Sequence, residues 1–99
     1  PTPDVSLVDL TVKLTKKASK EEINNALKEA SESSLKGVLG YETEPLVSVD
    51  YMGNPLSSIV DAEMTNVIGD SAKVISWYDN EVGFSNRVLD LADHVASKL

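Results

Sequence analysis

The 99 residues predict an α+β fold: a mainly antiparallel sheet with helices packed on one face, in the order strand, helix, three strands, helix. Three observations carry this reading. Apolar and polar residues alternate in Val8–Leu14 and again in Leu46–Tyr51, the period of half-buried strands. Residues 23–30 and 88–99 repeat apolar positions at helical spacing instead. Between these runs sit Gly, Asn, Asp and Pro residues that punctuate the chain. The length allows one domain, and no internal repeat, linker or low-complexity segment divides it.

Each element follows from local chemistry. Pro1 and Pro3 hold the entry extended. The first strand spans Val8–Leu14, with Val5 and Leu7 on the opposite phase, so a bulge near Leu7-Val8 or burial of both faces is expected. Thr15–Ala18 is a break. Ser19 and Glu22 then form a capping box, and Ile23, Ala26, Leu27 and Ala30 make one apolar stripe opposite Asn24, Asn25, Lys28 and Glu29. This helix is expected to end near Glu32. Val38-Leu39, between Gly37 and Gly40, reads as a short strand or a turn. Leu46–Tyr51 reads as a strand, Met52-Gly53-Asn54-Pro55 as a turn, and Ser58–Asn66 as a further strand. After the reversal at Gly69-Asp70, Lys73–Tyr78 reads as a largely buried strand. Asp79 or Asn80 caps a final helix whose stripe is Val88, Leu91, Ala92, Val95 and Leu99.

Composition excludes several function classes. Apolar and charged residues occur in the proportions of an ordinary soluble globular protein. The net charge of −7 repels phosphate backbones and anionic lipid, so neither nucleic acid nor membrane is an expected partner. Lys16, Lys17 and Lys20 make a small basic patch, read as a solvated turn. With no cysteine there is no thiolate chemistry, disulfide or Cys-based zinc site. No apolar run approaches the ~20 residues of a membrane span. The start lacks an initiator Met and any signal-peptide pattern, which suggests a processed chain or a piece of a longer one.

Few residues invite catalytic readings. His94 is the sole imidazole and falls late in the last helix, where a cation suits the dipole. Asp61 and Glu63 share a strand face and could serve as an acid–base pair or hold a metal, although a solvated sheet face gives the same spacing. Glu42 and Glu44 carry a weaker version of that signal. No glycine pattern makes a phosphate-cradling loop.

One stretch stands apart. SWYDNEVGFSNR, Ser76–Arg87, holds the only Trp, the only Phe, the only Arg and one of three Tyr. Such a strand running into a helix N-terminus aims side chains off the end of a sheet, and free amides there suit a carbonyl or an anion. Asn80 offers a donor and an acceptor, a match for a carboxamide. Tyr78 adds a planar face with a hydroxyl. The plainer reading has Asp79 or Asn80 capping, Trp77 filling core and Tyr78 packing.

SWYDNE with the following G-F-S-N-R-V-L-D-L resembles the C-terminal part of phosphorylating glyceraldehyde-3-phosphate dehydrogenases. So do PTPDVSLVDLTV, LKGVLGYETEPLVSVDY and SSIVDA, in order and without a gap over residues 1–99. The resemblance implies an enzyme in which a Rossmann domain binds NAD and a second α+β domain supplies a nucleophilic Cys and a general-base His. It implies oxidation of glyceraldehyde 3-phosphate, with NAD and phosphate, to 1,3-bisphosphoglycerate and NADH. No catalytic residue is carried over: the chain has no Cys, and His94 lies outside the base's motif. Asn80 matches the family Asn that hydrogen-bonds the nicotinamide carboxamide. Tyr78 and Phe84 match residues lining that pocket, Phe84 standing where many members have Tyr, and Glu81 takes a supporting place. No metal is implied.

The resulting expectation is a C-terminal fragment of a catalytic domain, residues 1–99, without its Rossmann domain or its Cys/His segment. The parent is expected to be a cytoplasmic, glycolytic, tetrameric oxidoreductase. The fragment alone is expected to be inert and to bind NAD weakly, its partners being the parent's NAD-binding domain and further copies through the sheet. A stand-alone binding or scaffold module using that sheet face is the alternative, and a small hydrolase built on Asp61 and Glu63 a third reading.

Overall fold

The computed structural model describes all residues, Pro1–Leu99. In chain order the elements are β1 (Ser6–Lys13), α1 (Lys20–Glu32), β2 (Leu39–Glu42), β3 (Ser58–Asp61), β4 (Asn66–Ile68), β5 (Ser71–Tyr78) and α2 (Val82–Ala96). The fold is α+β, with a mixed, mostly antiparallel sheet of five strands and two helices. β5 is its spine. β1 runs antiparallel along its whole length, from Ser6 opposite Tyr78 to Lys13 opposite Ser71. On the other side β4 pairs with the first half of β5 and β3 with the second. β2 adds parallel to β3 at the far edge.

α1 begins as its cap requires. Ser19 Oγ accepts from the Glu22 amide at 3.1 Å, and Glu22 Oε2 accepts from the Ser19 amide at 2.7 Å. Ile23, Leu27 and Ala30 of the expected stripe are half-buried, and Ala26 is exposed. Asn24, placed on the wet face by sequence, is the buried residue of the helix, because its Nδ2 donates to the Ala62 carbonyl at 2.9 Å. Lys20 Nζ donates to the next carbonyl, Glu63, at 2.6 Å, so two side chains fasten α1 to the turn after β3. Asn24→Ala is expected to cost about 1–2 kcal/mol, since it strips a buried carbonyl of its donor. Urea unfolding checks this, and an unchanged midpoint contradicts it.

Three sequence expectations need correction. Leu46–Tyr51 is no strand: Ser48–Tyr51 winds into a 3₁₀ turn because Asp50 Oδ2 reaches back to the Val47 amide at 2.8 Å. Ser58–Asn66 is not continuous either, since a 3₁₀ turn at Ala62–Met64 splits it into β3 and β4. That break lets two short strands share one flank of β5. Third, β1 has no bulge. Pairing runs unbroken from Ser6, so Leu7 and Val8 lie on opposite faces, each 43% exposed, and Val5, with a φ of 79°, turns the chain immediately before pairing begins. A β-branched residue rarely adopts that conformation, so Val5 is a point of stored strain.

Only 12 of 99 residues are buried, a core too thin to cover every apolar face. Its apolar members are Tyr51, Ile59, Val60, Ala62, Ala72 and Ile75. Trp77 stacks on Tyr51 with ring centroids 5.5 Å apart and 12° between planes. Its Nε1 donates to Asp61 Oδ2 at 3.2 Å. The Tyr51 hydroxyl is buried without a hydrogen-bond partner. Burial first, then the Asp61 charge, pushes its pKa up to about 12. A pKa raised on folding supplies stability below the ordinary phenol value that is lost as pH climbs through the raised one. Stability is therefore expected to fall between about pH 10 and 12, with one phenolate appearing late in absorbance at 295 nm. Tyr51→Phe removes that late step.

α2 departs from the sheet. From Val88 to Leu99 every residue is exposed, including Leu89, Leu91 and Val95 of its apolar residues. Its projection stretches the molecule to 48 × 37 × 20 Å and the radius of gyration to 15.0 Å. A compact domain of this size measures about 13 Å.

Candidate functional site

The site lies where β5 runs into α2, and Asp79 organises it. Its side chain is wholly buried. Oδ1 accepts from the Glu81 and Val82 amides, both at 2.9 Å, and Oδ2 accepts from the Gly53 amide at 2.8 Å. One carboxylate thus satisfies the start of α2 and clasps the 52–55 turn to it. These amides, the Gly53 one foremost, hold the Asp79 carboxyl well below the usual carboxylate range. They are consequently not free for a ligand, and the cap belongs to Asp79.

Asn80 is thereby released from capping and lies exposed at the mouth of a cleft. The cleft has a volume of about 400 Å³ and is lined by Ser57, Tyr78, Asn80, Gly83, Phe84 and Arg87. That volume suits part of a small organic ligand. Ser6 Oγ donates to Asn80 Oδ1 at 3.2 Å, which occupies the amide's acceptor and leaves its NH₂ for another partner. Tyr78 is half-buried, and Phe84 is 71% exposed beside it. Glu81, expected in the same pocket, does not line the cleft.

Sequence reasoning did not select Ser6, Ser57, Gly83 or Arg87. Arg87 had a signal, being the only Arg. Its Nη1 donates to the Gly37 carbonyl at 3.1 Å and to Ser57 Oγ at 3.3 Å, while Nε meets Asp90 Oδ2 at 2.8 Å. The guanidinium thus braces one wall of the cleft across three segments. Gly83 allows α2 to approach closely: a Cβ there would sit 2.8 Å from the Leu56 carbonyl oxygen. Gly83→Ala must push the helix start off that backbone. We expect a cost of about 1–3 kcal/mol, measured by thermal unfolding, and a wild-type melting curve would contradict it.

The remaining candidates do not converge. Asp61 is 3% exposed and held by Trp77, whereas Glu63 lies exposed on the turn that breaks the strand, so the two share no face. His94 falls in the last turn of α2, exposed. No group of three or more His, Asp or Glu side chains is placed to hold a metal ion.

A cleft built by an SWYDN junction invites comparison with known proteins. Residues 1–80 match the family described as glyceraldehyde 3-phosphate dehydrogenase, C-terminal domain. The chain belongs to that family. Glyceraldehyde-3-phosphate dehydrogenase from Priestia megaterium is 62% identical over 99 residues, and glyceraldehyde-3-phosphate dehydrogenase 1 from Bacillus subtilis is 61% identical over 99. The relative from Geobacillus stearothermophilus is 58% identical over the same length. Each alignment covers 99% of this chain and 30% of the relative, so the chain spans under a third of these glyceraldehyde-3-phosphate dehydrogenases. Within the family, the match to the C-terminal domain closes on Asn80 itself, and the relatives' similarity continues through α2.

Proposed function

We propose that this chain is the C-terminal portion of the catalytic domain of an NAD-dependent glyceraldehyde-3-phosphate dehydrogenase, and that its β5–α2 cleft forms part of the nicotinamide pocket. The supporting observation is Asn80, exposed at the cleft with its acceptor taken by Ser6 and its NH₂ free. In the intact enzyme NAD supplies the hydride acceptor. This chain's residues would hold and orient it: the Asn80 amide would donate to the carboxamide, and Tyr78 and Phe84 would wall the ring. Glu81 supports the junction through its backbone amide, bonded to Asp79. NAD fits these groups, a carboxamide partner beside two aromatic faces.

The nucleophile and the base are supplied by the rest of the protein, so the 99 residues alone are inactive. The nucleotide-binding domain covers the exposed α2 stripe. Copies of the protein meet through the sheet, where Val8, Leu10 and Val12 share one face of β1 and remain 43, 49 and 36% exposed. We place the whole protein in the cytoplasm as a tetramer. The test is an absorbance assay with glyceraldehyde 3-phosphate, NAD and phosphate. The full-length protein is expected to form NADH and the 99-residue chain none. NADH from the short chain would overturn the proposal.

A further inference from the structure

Two serines flank the end of β5, and their hydroxyls are used differently. Ser6 starts β1 opposite Tyr78 and donates its proton to Asn80 Oδ1. On the other side β3 pairs Ile59 with Trp77 and Val60 with Ser76, a register that, continued, sets Ser57 level with Asp79. Ser57 is half-buried and lines the cleft. Its Oγ accepts from Arg87 Nη1 at 3.3 Å, while its own proton meets no acceptor in the chain. The hydroxyls of Ser31, Ser33 and Ser97, by contrast, all donate to carbonyls of their own helices.

The backbone around Ser57 is held tightly. Its amide donates to the Val38 carbonyl at 2.9 Å. Leu56, immediately before it, is wedged between two glycines: a Cβ on Gly83 would sit 2.8 Å from the Leu56 carbonyl oxygen, and one on Gly40 2.8 Å from Leu56 Cδ1. Arg87 is the third tie, because the same Nη1 also donates to the Gly37 carbonyl at 3.1 Å. A permanently charged guanidinium on one lone pair polarises the Ser57 hydroxyl and strengthens it as a donor.

We propose that Ser57 is a second hydrogen-bond donor to the ligand of the cleft, positioned by Arg87, and that Ser57 and Asn80 together grip two acceptor oxygens of one molecule. Both donors lack a protein acceptor, and the aromatic side chains of Tyr78 and Phe84 line the same cleft. The matching ligand carries a flat ring and two separate acceptor oxygens, as the nicotinamide nucleoside of NAD does in its carboxamide and its ribose. That choice of ligand rests on the reading of Asn80 given above; the pair of unpartnered donors does not. Arg87 is a positioning residue, acting through Ser57.

The test measures the Kd for NAD by calorimetry on the full-length protein, beside KM for both substrates and the melting temperature. Ser57→Ala is expected to raise Kd and KM for NAD about 5-fold, the loss of one hydrogen bond. KM for glyceraldehyde 3-phosphate and the melting temperature should stay as in the parent, because Arg87 keeps the Gly37 carbonyl. Ser57→Thr retains the hydroxyl and is expected to restore binding. Arg87→Lys should weaken NAD binding about 3-fold in the parent and add nothing beside Ser57→Ala, since it acts through that hydroxyl. A Ser57→Ala protein that binds NAD as the parent does overturns the proposal. So does a Ser57→Thr protein as weak as Ser57→Ala, which would assign the loss to packing, or a loss confined to the aldehyde. If Asn80→Ala weakens NAD while Ser57→Ala does not, the second donor alone falls; if both are silent, the reading of the cleft falls with it.

Discussion

Asn80→Ala in the full-length enzyme is expected to raise the KM for NAD about 10-fold and to lower kcat by up to about 10²-fold. The first effect would be the loss of the hydrogen bond proposed between Asn80 and the cofactor. The second follows from a reacting ring no longer held at its angle of approach. Folding should be untouched, because Asn80 is exposed and the cap of α2 is made by Asp79. A melting temperature equal to wild type, beside the kinetic loss, is the signature of a residue that orients a ligand. Asn80→Asp keeps the size but replaces the free NH₂ with an acceptor, so its loss should be at least as large. Ser6→Ala should show a milder version, as it frees the amide to rotate. Unchanged steady-state constants in Asn80→Ala would remove the cleft from the reaction.

Trp77→Ala is the second large effect, this time on stability. Trp77 stacks on buried Tyr51 and is the donor that Asp61 Oδ2 receives. Truncation leaves a cavity beside Tyr51 and a carboxylate, 3% exposed, without its indole partner. About 3–5 kcal/mol is expected. Trp77→Phe separates the two causes: the stack survives and only the hydrogen bond goes, for about 1–3 kcal/mol. Urea titration of both variants gives the partition. Equal losses would mean that the stack contributes nothing, contrary to the geometry.

Much of this was legible in local chemistry. The capping box at Ser19 and Glu22 is complete in itself, so it marked the start of α1 correctly. Val74, Ile75, Trp77 and Tyr78 marked Lys73–Tyr78 as a largely buried strand, and it has neighbours on both sides. Where the reading failed, alternation misled it. Leu46–Tyr51 has the period of a strand, yet one Asp50 carboxylate gripping the Val47 amide winds it, a contact that periodicity cannot reveal. Asp61 and Glu63 looked like a pair on one face only while the strand was taken as unbroken. The α2 stripe was read correctly as apolar, but nothing in a helical period says whether the covering surface belongs to this chain.

The site was legible in a similar, partial way. Asn80, Tyr78 and Phe84 sit close in sequence and drew notice because rare residues cluster there. Ser6 and Arg87 join the cleft through β1–β5 pairing and through the turn after α1, contacts spanning 74 and 50 residues. Asp79 looked interchangeable with Asn80 as a cap. Its tie to Gly53, 26 residues away, decides between them, and only the fold brings that amide near.

The most direct measurement is a crystal structure of the full-length protein with NAD bound. The nicotinamide carboxamide is expected in the cleft of Tyr78, Asn80 and Phe84, its oxygen about 2.7–3.2 Å from Asn80 Nδ2. A nicotinamide ring seated elsewhere, with Asn80 contacting only solvent, would contradict it.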